Sequence, residues 1–278
     1  MDEILQLAAL GRHVQIGMLY DSRSDTLIPD VTLWNSQTIL ENTVSQNQPS
    51  TETEIITLDS MEKKANALNV SESLKASLLG GLVELKGSSK YFNDTKVSKQ
   101  QARVTLQYKT TNKLEQLMMT HLGRQDVIYP SVFEEGTATH VITSVLYGAQ
   151  AFFVFDRMVS SGENLQEIQL NMEVTIEHFQ RTHGEPSLRM TEEQKCNANK
   201  LSCTFYGDFP LQNNPTSFQD FINIYTTLPI LLGKAAEHSV PMTIWLYPLK
   251  KLDPKAAQLV KLLSVGLGQN PAVSKYVP

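Results

Sequence analysis

The segment Leu165–Glu177, LQEIQLNMEVTIE, satisfies two backbone periods at once. Read as a strand, it places Ile168, Leu170, Met172, Val174 and Ile176 on one face. Glu167, Gln169, Asn171, Glu173, Thr175 and Glu177 then fall on the other. Read as a helix, Leu165, Ile168, Met172, Ile176 and Phe179 form a narrower apolar stripe at i, i+3, i+4 spacing, whereas most segments fit a single period. A one-faced apolar strand inside a helix-forming composition points to a segment stored as a helix and used as a membrane hairpin.

The surrounding pattern gives this segment a setting. Thr53–Leu58 is the first clear strand, preceded by a polar stretch over Ser45–Ser50. Ala102–Thr110 alternates Val104, Leu106 and Tyr108 against Arg103, Thr105, Gln107 and Lys109. Thr139–Phe155 is long and apolar enough to be central, and Leu201–Phe209 is a fourth strand. Two long insertions, Ser60–Gln101 and Asp156–Lys200, interrupt the series. Structureless loops of that length are uncommon inside domains, and both are rich in helix formers. The order is therefore strand, helical insertion, strand, strand, helical insertion, strand.

The first insertion repeats the ambiguity of the second. Leu68, Val70, Leu74, Ala76 and Leu78 alternate with polar residues, broken by Glu72, while a helical reading uses Leu74, Leu78, Leu82 and Leu85. Gly80-Gly81 costs that helix about 1 kcal/mol per glycine. The insertions oppose each other in charge, with seven lysines over 62–99 and seven glutamates over 163–200, so such segments in neighbouring subunits could pair. Elsewhere the pattern predicts a short helix over Met1–Leu10, strand-like character over His13–Arg23, a turn-rich stretch through Pro29 and Asp30, a helix over Phe218–Ala236, a strand over Pro241–Leu249 and a helix over Pro254–Leu267.

Composition narrows the function. The net charge of -5 gives no electrostatic case for nucleic acid. No apolar run reaches the roughly 18 residues of a transmembrane helix, and acids stand where a signal peptide needs bases, so a soluble chain made without a classical signal is expected. Cys196 and Cys203 read as free thiols. Asn69-Val-Ser and Asn93-Asp-Thr match the glycosylation pattern but read as accidental without such a signal. There is no phosphate loop, nucleophile elbow or zinc-spaced Cys/His cluster. His178 and His183 have no third ligand nearby, so no enzyme, cofactor or metal site is expected.

A transmembrane strand needs about 9–11 residues, and each insertion is long enough for two strands and a turn. Unpaired backbone groups cannot face lipid, so hairpins from many copies must close into one barrel. Exposed apolar strands would aggregate in water, which helical storage avoids. Periodicity alone is equally satisfied by amphipathic helices that simply cover a sheet.

GTATHVITSVLYGAQAFFVF (Gly136–Phe155) resembles the signature strand of the membrane-attack-complex/perforin and cholesterol-dependent-cytolysin superfamily, with Gly136, Thr139, His140 and Gly148 in the marked places. It departs in the two residues between Gly136 and the Thr-His pair, and in having one later glycine. Ala9–Pro29, Ser77–Lys96, Ala138–Asp156 and Leu228–Leu252 are similar to the N-terminal domain of the stonustoxin-type cytolysins of stonefish and scorpionfish.

That resemblance implies an α+β fold: a bent central antiparallel four-stranded sheet flanked by two helical clusters that unfurl into membrane hairpins. It implies a pore-forming domain over residues 1–253, with 254–278 beginning a following helical domain or extension. Leu68, Val70, Leu74, Ala76, Leu78, Ile168, Leu170, Met172, Val174 and Ile176 are the expected membrane-inserting residues, and Gly136 and Gly148 the glycines permitting the sheet to open. The implied partners are membrane lipid, cholesterol among the candidates, and further copies or a related subunit, with no nucleic acid. A toxin would be secreted in venom and end on the target-cell membrane. The rival reading is a non-lytic cytoplasmic interaction module keeping the same fold, which Glu72 on the apolar face supports.

Overall fold

The long apolar run forms a strand over His140–Met158 that hydrogen-bonds to four others. In this computed structural model, residues 3–95, 100–181, 191–228 and 239–256 are described. In chain order the elements are β1 (Leu5–Ala8), β2 (Met18–Asp21), β3 (Thr26–Thr32), α1 (Ser36–Asn42), β4 (Thr43–Ile56), α2 (Met61–Ala67), α3 (Glu72–Leu79), β5 (Gln101–Leu117), α4 (Val132–Glu135), β6 (His140–Met158), α5 (Leu165–Arg181), α6 (Glu192–Ala198), β7 (Ser202–Gly207), α7 (Phe218–Tyr225) and β8 (Val240–Pro248). A 3-10 turn over Gly87–Asn93 follows α3.

The expected four central strands run in the order β4-β5-β6-β7, all antiparallel. They belong to a larger sheet of eight. β7 pairs with β6 only at its upper end (Ala151–Asp156), where the two insertions join the sheet. Below, β8 takes the same edge (His140–Gly148), β1 lies outside β8, and β2–β3 close the lower end.

Three of the irregular pairings form a band across the middle, and two others, at Met18/Leu19 and at Ile142/Ser144, lie lower in the sheet. The register shifts between Asn47 and Ser50 in β4, between Thr111 and Lys113 in β5, and between Leu146 and Tyr147 in the β6–β8 pairing. An extra residue bends a strand and raises its twist, so aligned shifts are a local cause of sheet bending. β7 gives way to β8 at the same level.

Below the band, Leu19, Tyr20, Leu33, Trp34, Phe133, Val141, Val145, Ile244 and Leu246 form one core. Above it, side chains alternate between two further cores. Phe152 and Val154 face α2 and α3, whereas Phe153 and Phe155 face α5 and α7. The two insertions thus cover opposite faces of the upper sheet.

Several expectations are corrected. The N-terminal helix is absent among the described residues: Leu5–Ala8 is a strand in register with Thr243–Leu246. A segment this short gains little as an isolated helix, while pairing satisfies its backbone and buries Leu7 and Ala8. The polar stretch Ser45–Ser50 is the lower half of β4. It lacks an apolar period because it is an edge strand exposed to solvent. The turn-rich stretch forms β3, with Asp30 at φ 60. Cys196 and Cys203 are free thiols, exposed and buried respectively. Most of the helix expected over Pro254–Leu267, and the end of that over Phe218–Ala236, lie outside the described residues.

Candidate functional site: two helical clusters on paired strands

Each insertion joins the ends of two strands that already pair. Residues 57–100 connect β4 to β5, and residues 159–201 connect β6 to β7. Both leave from the same end of the sheet, since Ile56 pairs with Thr105, Gln101 with Met158 and Asp156 with Ser202.

In the first cluster, Ser60 and Ser71 cap α2 and α3 by accepting from the Lys63 and Leu74 amides. The helices are short, and burial of one face holds them. Leu68, Val70, Leu74 and Leu78 are buried with Ala65, Tyr91 and Phe92 against Phe152 and Val154. Tyr91 stacks on Phe152 with ring centroids 4.2 Å apart. Ala76 is exposed, as are Glu72, Leu79 and Leu82.

A buried charge cluster ties this insertion to the sheet. The Arg103 guanidinium on β5, 8% exposed, meets Asp156 at 2.7 Å, Asp59 at 3.2 Å and Asp94 at 3.3 Å. Asp59 and Asp94 flank the cluster, so one side chain pins both of its ends. Lys64 from α2 pairs with Asp59 at 2.8 Å and donates to the Asp94 carbonyl. The Tyr206 hydroxyl donates to Asp94 at 3.1 Å. Burial opposes the Arg103 charge, but the Asp156 hydrogen bonds and the surrounding carboxylates outweigh it and raise its pKa above the ordinary value. Burial pushes the Tyr91 and Tyr206 hydroxyls up to about 12. A second tie is Asp208, which accepts from the Ser88 amide at 2.8 Å and the Gln150 amide at 2.9 Å. Burial raises its pKa against these hydrogen bonds.

The second cluster is held mainly by apolar contact. Ile168, Met172, Ile176 and Phe179 on α5 pack on Ala102, Val104, Leu106 and Tyr108 of β5. Phe179 lies 5.0 Å from Phe221 and 5.1 Å from Tyr225, ring to ring. The helix therefore realises one of the two periods. The other members of the strand face, Leu170 and Val174, are 58% and 47% exposed. Among the described residues, no helix is long and apolar enough to cross a membrane, which says nothing of strands.

The signature residues do not converge. Gly136 ends α4 in the left-handed conformation, φ 65, below the sheet. Thr139 and His140 lie at the lower end of β6, where the Thr139 hydroxyl accepts from the Ser22 amide at 2.9 Å and contacts His140 Nδ1 at 2.8 Å. Burial holds His140 at about 4, and its Nε2 is buried without a hydrogen-bond partner among the described residues. Gly148 lies within the bulge band, where a Cβ would sit 2.0 Å from the Thr110 carbonyl oxygen.

Sequence reasoning missed the charge cluster. The available signal was an acid near each insertion boundary (Asp59, Asp94 and Asp156) with one arginine on the strand between.

A model of the family described as the SNTX, MACPF/CDC-like domain matches residues 4–176. The chain is 48% identical over 260 residues to neoverrucotoxin subunit beta of Synanceia verrucosa, covering 93% of this chain and 37% of that one. It is 44% identical over 267 residues to stonustoxin subunit alpha of Synanceia horrida, covering 95% and 38%. The solved stonustoxin structure superposes with a TM-score of 0.67 at 37% identity, over 98% of this chain and 37% of that one. A central antiparallel sheet with helical insertions joining two pairs of its strands is the architecture of a MACPF/CDC-like domain. Within that class, the chain belongs to the SNTX family. It spans well under half the length of the relatives it matches.

Proposed function

We propose that this chain is the pore-forming domain of a cytolysin, which assembles on a target membrane and converts both helical clusters into transmembrane β-hairpins. The observation that carries this reading is connectivity: each cluster is the link between two strands already paired at one end of the sheet. Extending those strands requires no new pairing below the insertion points. The apolar strand faces named above (Leu68, Val70, Leu74, Ala76 and Leu78; Ile168, Leu170, Met172, Val174 and Ile176) would then meet lipid. The exposure of Leu170 and Val174, which the helix does not use, supports this assignment.

Gly148, seated among the bulges, is the glycine best placed to let the sheet open. Gly136 acts on this reading only as a helix cap. On this reading residues 1–253 form the pore domain. Toxin subunits among the relatives favour the lytic reading over the non-lytic scaffold. Their division into alpha and beta subunits supports a hetero-oligomer as the working form. Secretion in venom and action on the lipid of a target-cell membrane, cholesterol among the candidate lipids, complete the proposal, and no catalytic step is assigned.

The test is dye release from liposomes with and without cholesterol, by the purified chain alone and with a related second subunit. Release that rises steeply with protein concentration supports an assembling pore. No release from folded protein in any arm overturns the reading.

A further inference from the structure

The register of β4 with β5 already specifies where a hairpin built from the first insertion must turn. From Ser50 paired with Thr111 to Ile56 paired with Thr105, the partners' numbers sum to 161 throughout. Continued upward without a slip, the same register brings the chain to Gly80 and Gly81, whose numbers also sum to 161, as the two residues between the arms. Two-residue loops are the commonest hairpin turns, and they favour glycine because positive φ is needed at the first central position in types I′ and II′.

The register also sorts the side chains. It sets Leu78 opposite Val83, Ala76 opposite Leu85, and Val70 opposite Tyr91 on one face, where Glu72 opposite Ser89 is the polar exception. On the other face Ser77 meets Glu84, Ser73 meets Ser88 and Ser71 meets Lys90, and its apolar members are Leu79 and Leu82 at the tip and Phe92 opposite Asn69. A slip of one residue would mix the two classes on one arm. The coincidence is not automatic. The β6–β7 register, from Ala151 with Gly207 to Asp156 with Ser202, centres on Phe179, a buried ring with no turn chemistry.

In the present structure the pair is already exposed, and it closes α3 through the Gly80, Gly81 and Leu82 amides. Gly80 caps α3 at φ -76, and Gly81 has φ +70 with nothing within 4 Å of an added Cβ. The flanking Leu79 and Leu82 are 61% and 73% exposed, with no packing role that accounts for them.

We propose that Gly80-Gly81 is the turn of the first membrane hairpin, that this hairpin keeps the β4–β5 register, and that Leu79 and Leu82 form the apolar tip that enters the lipid first. This rests on the pore-forming reading above.

Gly80 allows a test that separates the two states. Its φ is negative in the soluble fold, and an added Cβ comes no closer than 3.4 Å to the Ala76 carbonyl oxygen. Gly80→Val is therefore accommodated before insertion but opposed in the hairpin turn, which we take as type I′, the form in which Gly80→Asn is tolerated. Both variants should melt like the parent. Gly80→Asn should release dye like the parent, and Gly80→Val should need about 10-fold more protein for half-release, given the penalty on a left-handed non-glycine residue.

An environment-sensitive dye on single cysteines at 76, 77, 84 and 85, in a Cys196→Ser/Cys203→Ala background, supplies the second readout. On liposomes, labels at 76 and 85 should report lipid together, and labels at 77 and 84 water. Leakage with equal activity of both Gly80 variants, or with 76 and 84 reporting lipid together, overturns this register and leaves the pore reading standing. Folded protein that shows neither leakage nor any spectral change overturns both.

Discussion

Replacing Arg103 with methionine keeps the aliphatic stem and removes the one group that contacts all three acids of the buried cluster. The guanidinium makes two contacts to Asp156 at 2.7 and 2.9 Å, and one each to Asp59 at 3.2 Å and Asp94 at 3.3 Å. Without it, Lys64 still faces Asp59 and the Tyr206 hydroxyl still donates to Asp94, while Asp156 loses both of its guanidinium contacts. Deleting one partner of a buried ion pair typically costs about 3–5 kcal/mol because the remaining charge is stranded, and that range is expected here near neutral pH. Because Asp59 and Asp94 flank the first cluster, the loss should be local. Urea denaturation gives the magnitude, and hydrogen exchange resolved by residue gives the place. Amides in residues 60–95 should lose protection well before those of α5. Arg103→Lys should fall between parent and methionine, since an ammonium keeps the charge but not the fork that spans three carboxylates. A change below about 1 kcal/mol, or protection lost equally from both clusters, would refute the argument that Arg103 pins the first cluster.

The exposed half of the α5 strand face separates storage from use. Val174→Lys should leave urea stability within about 0.5 kcal/mol of the parent, yet oppose the hairpin by about 2–4 kcal/mol at mid-bilayer. Dye release equal to the parent would contradict the facing assignment. Gly148→Ala forces a methyl against the Thr110 carbonyl oxygen. Overpacking of that kind costs about 1–3 kcal/mol, and a melting temperature equal to the parent would count against it. His140 sets a pH dependence. Burial lowers its pKa to about 4, whereas the unfolded chain titrates near 6.5. The unfolded state therefore binds the extra proton within that window, and stability should fall by about 2–3 kcal/mol as pH drops from about 6.5 to 4. His140→Gln should flatten that part of the stability–pH curve. Cys203 is buried with its thiol pKa raised by desolvation, and Cys196 is exposed. One thiol should thus react with a thiol reagent in the native state and two in urea.

Much of the upper sheet was legible because its strands are long and either one-faced or apolar throughout. Val104, Leu106 and Tyr108 define β5, and the alternation of Phe152 and Val154 with Phe153 and Phe155 shows a strand covered on both sides. The paired insertions were legible for the same reason, being too long for loops and too helical for disorder. Local pattern failed where pairing, rather than side-chain burial, decides the state. Thr43–Ser50 has no apolar period because both its faces meet water, and β5 holds it through the backbone. Leu5–Ala8 is too short for any period to show. The charge cluster was illegible for a different reason. Arg103 sits 44 residues from Asp59 and 53 from Asp156, and only the fold brings them together. Conversely, the turn at Gly80-Gly81 needed both levels: the sequence supplies two glycines, and the register makes them the midpoint.

The central claim is that segments stored as helices become strands in the membrane, and the α5 segment reports this most directly. A single environment-sensitive label would be moved through positions 168–176 in a background free of native cysteines, and read in solution and on liposomes. The account predicts a change of period. In solution, positions 168, 172 and 176 should be shielded while 170 and 174 are wet, as in the structure. On liposomes all five even positions should report lipid and the odd ones water. A liposome profile that keeps the solution pattern, from protein that releases dye, would contradict the account.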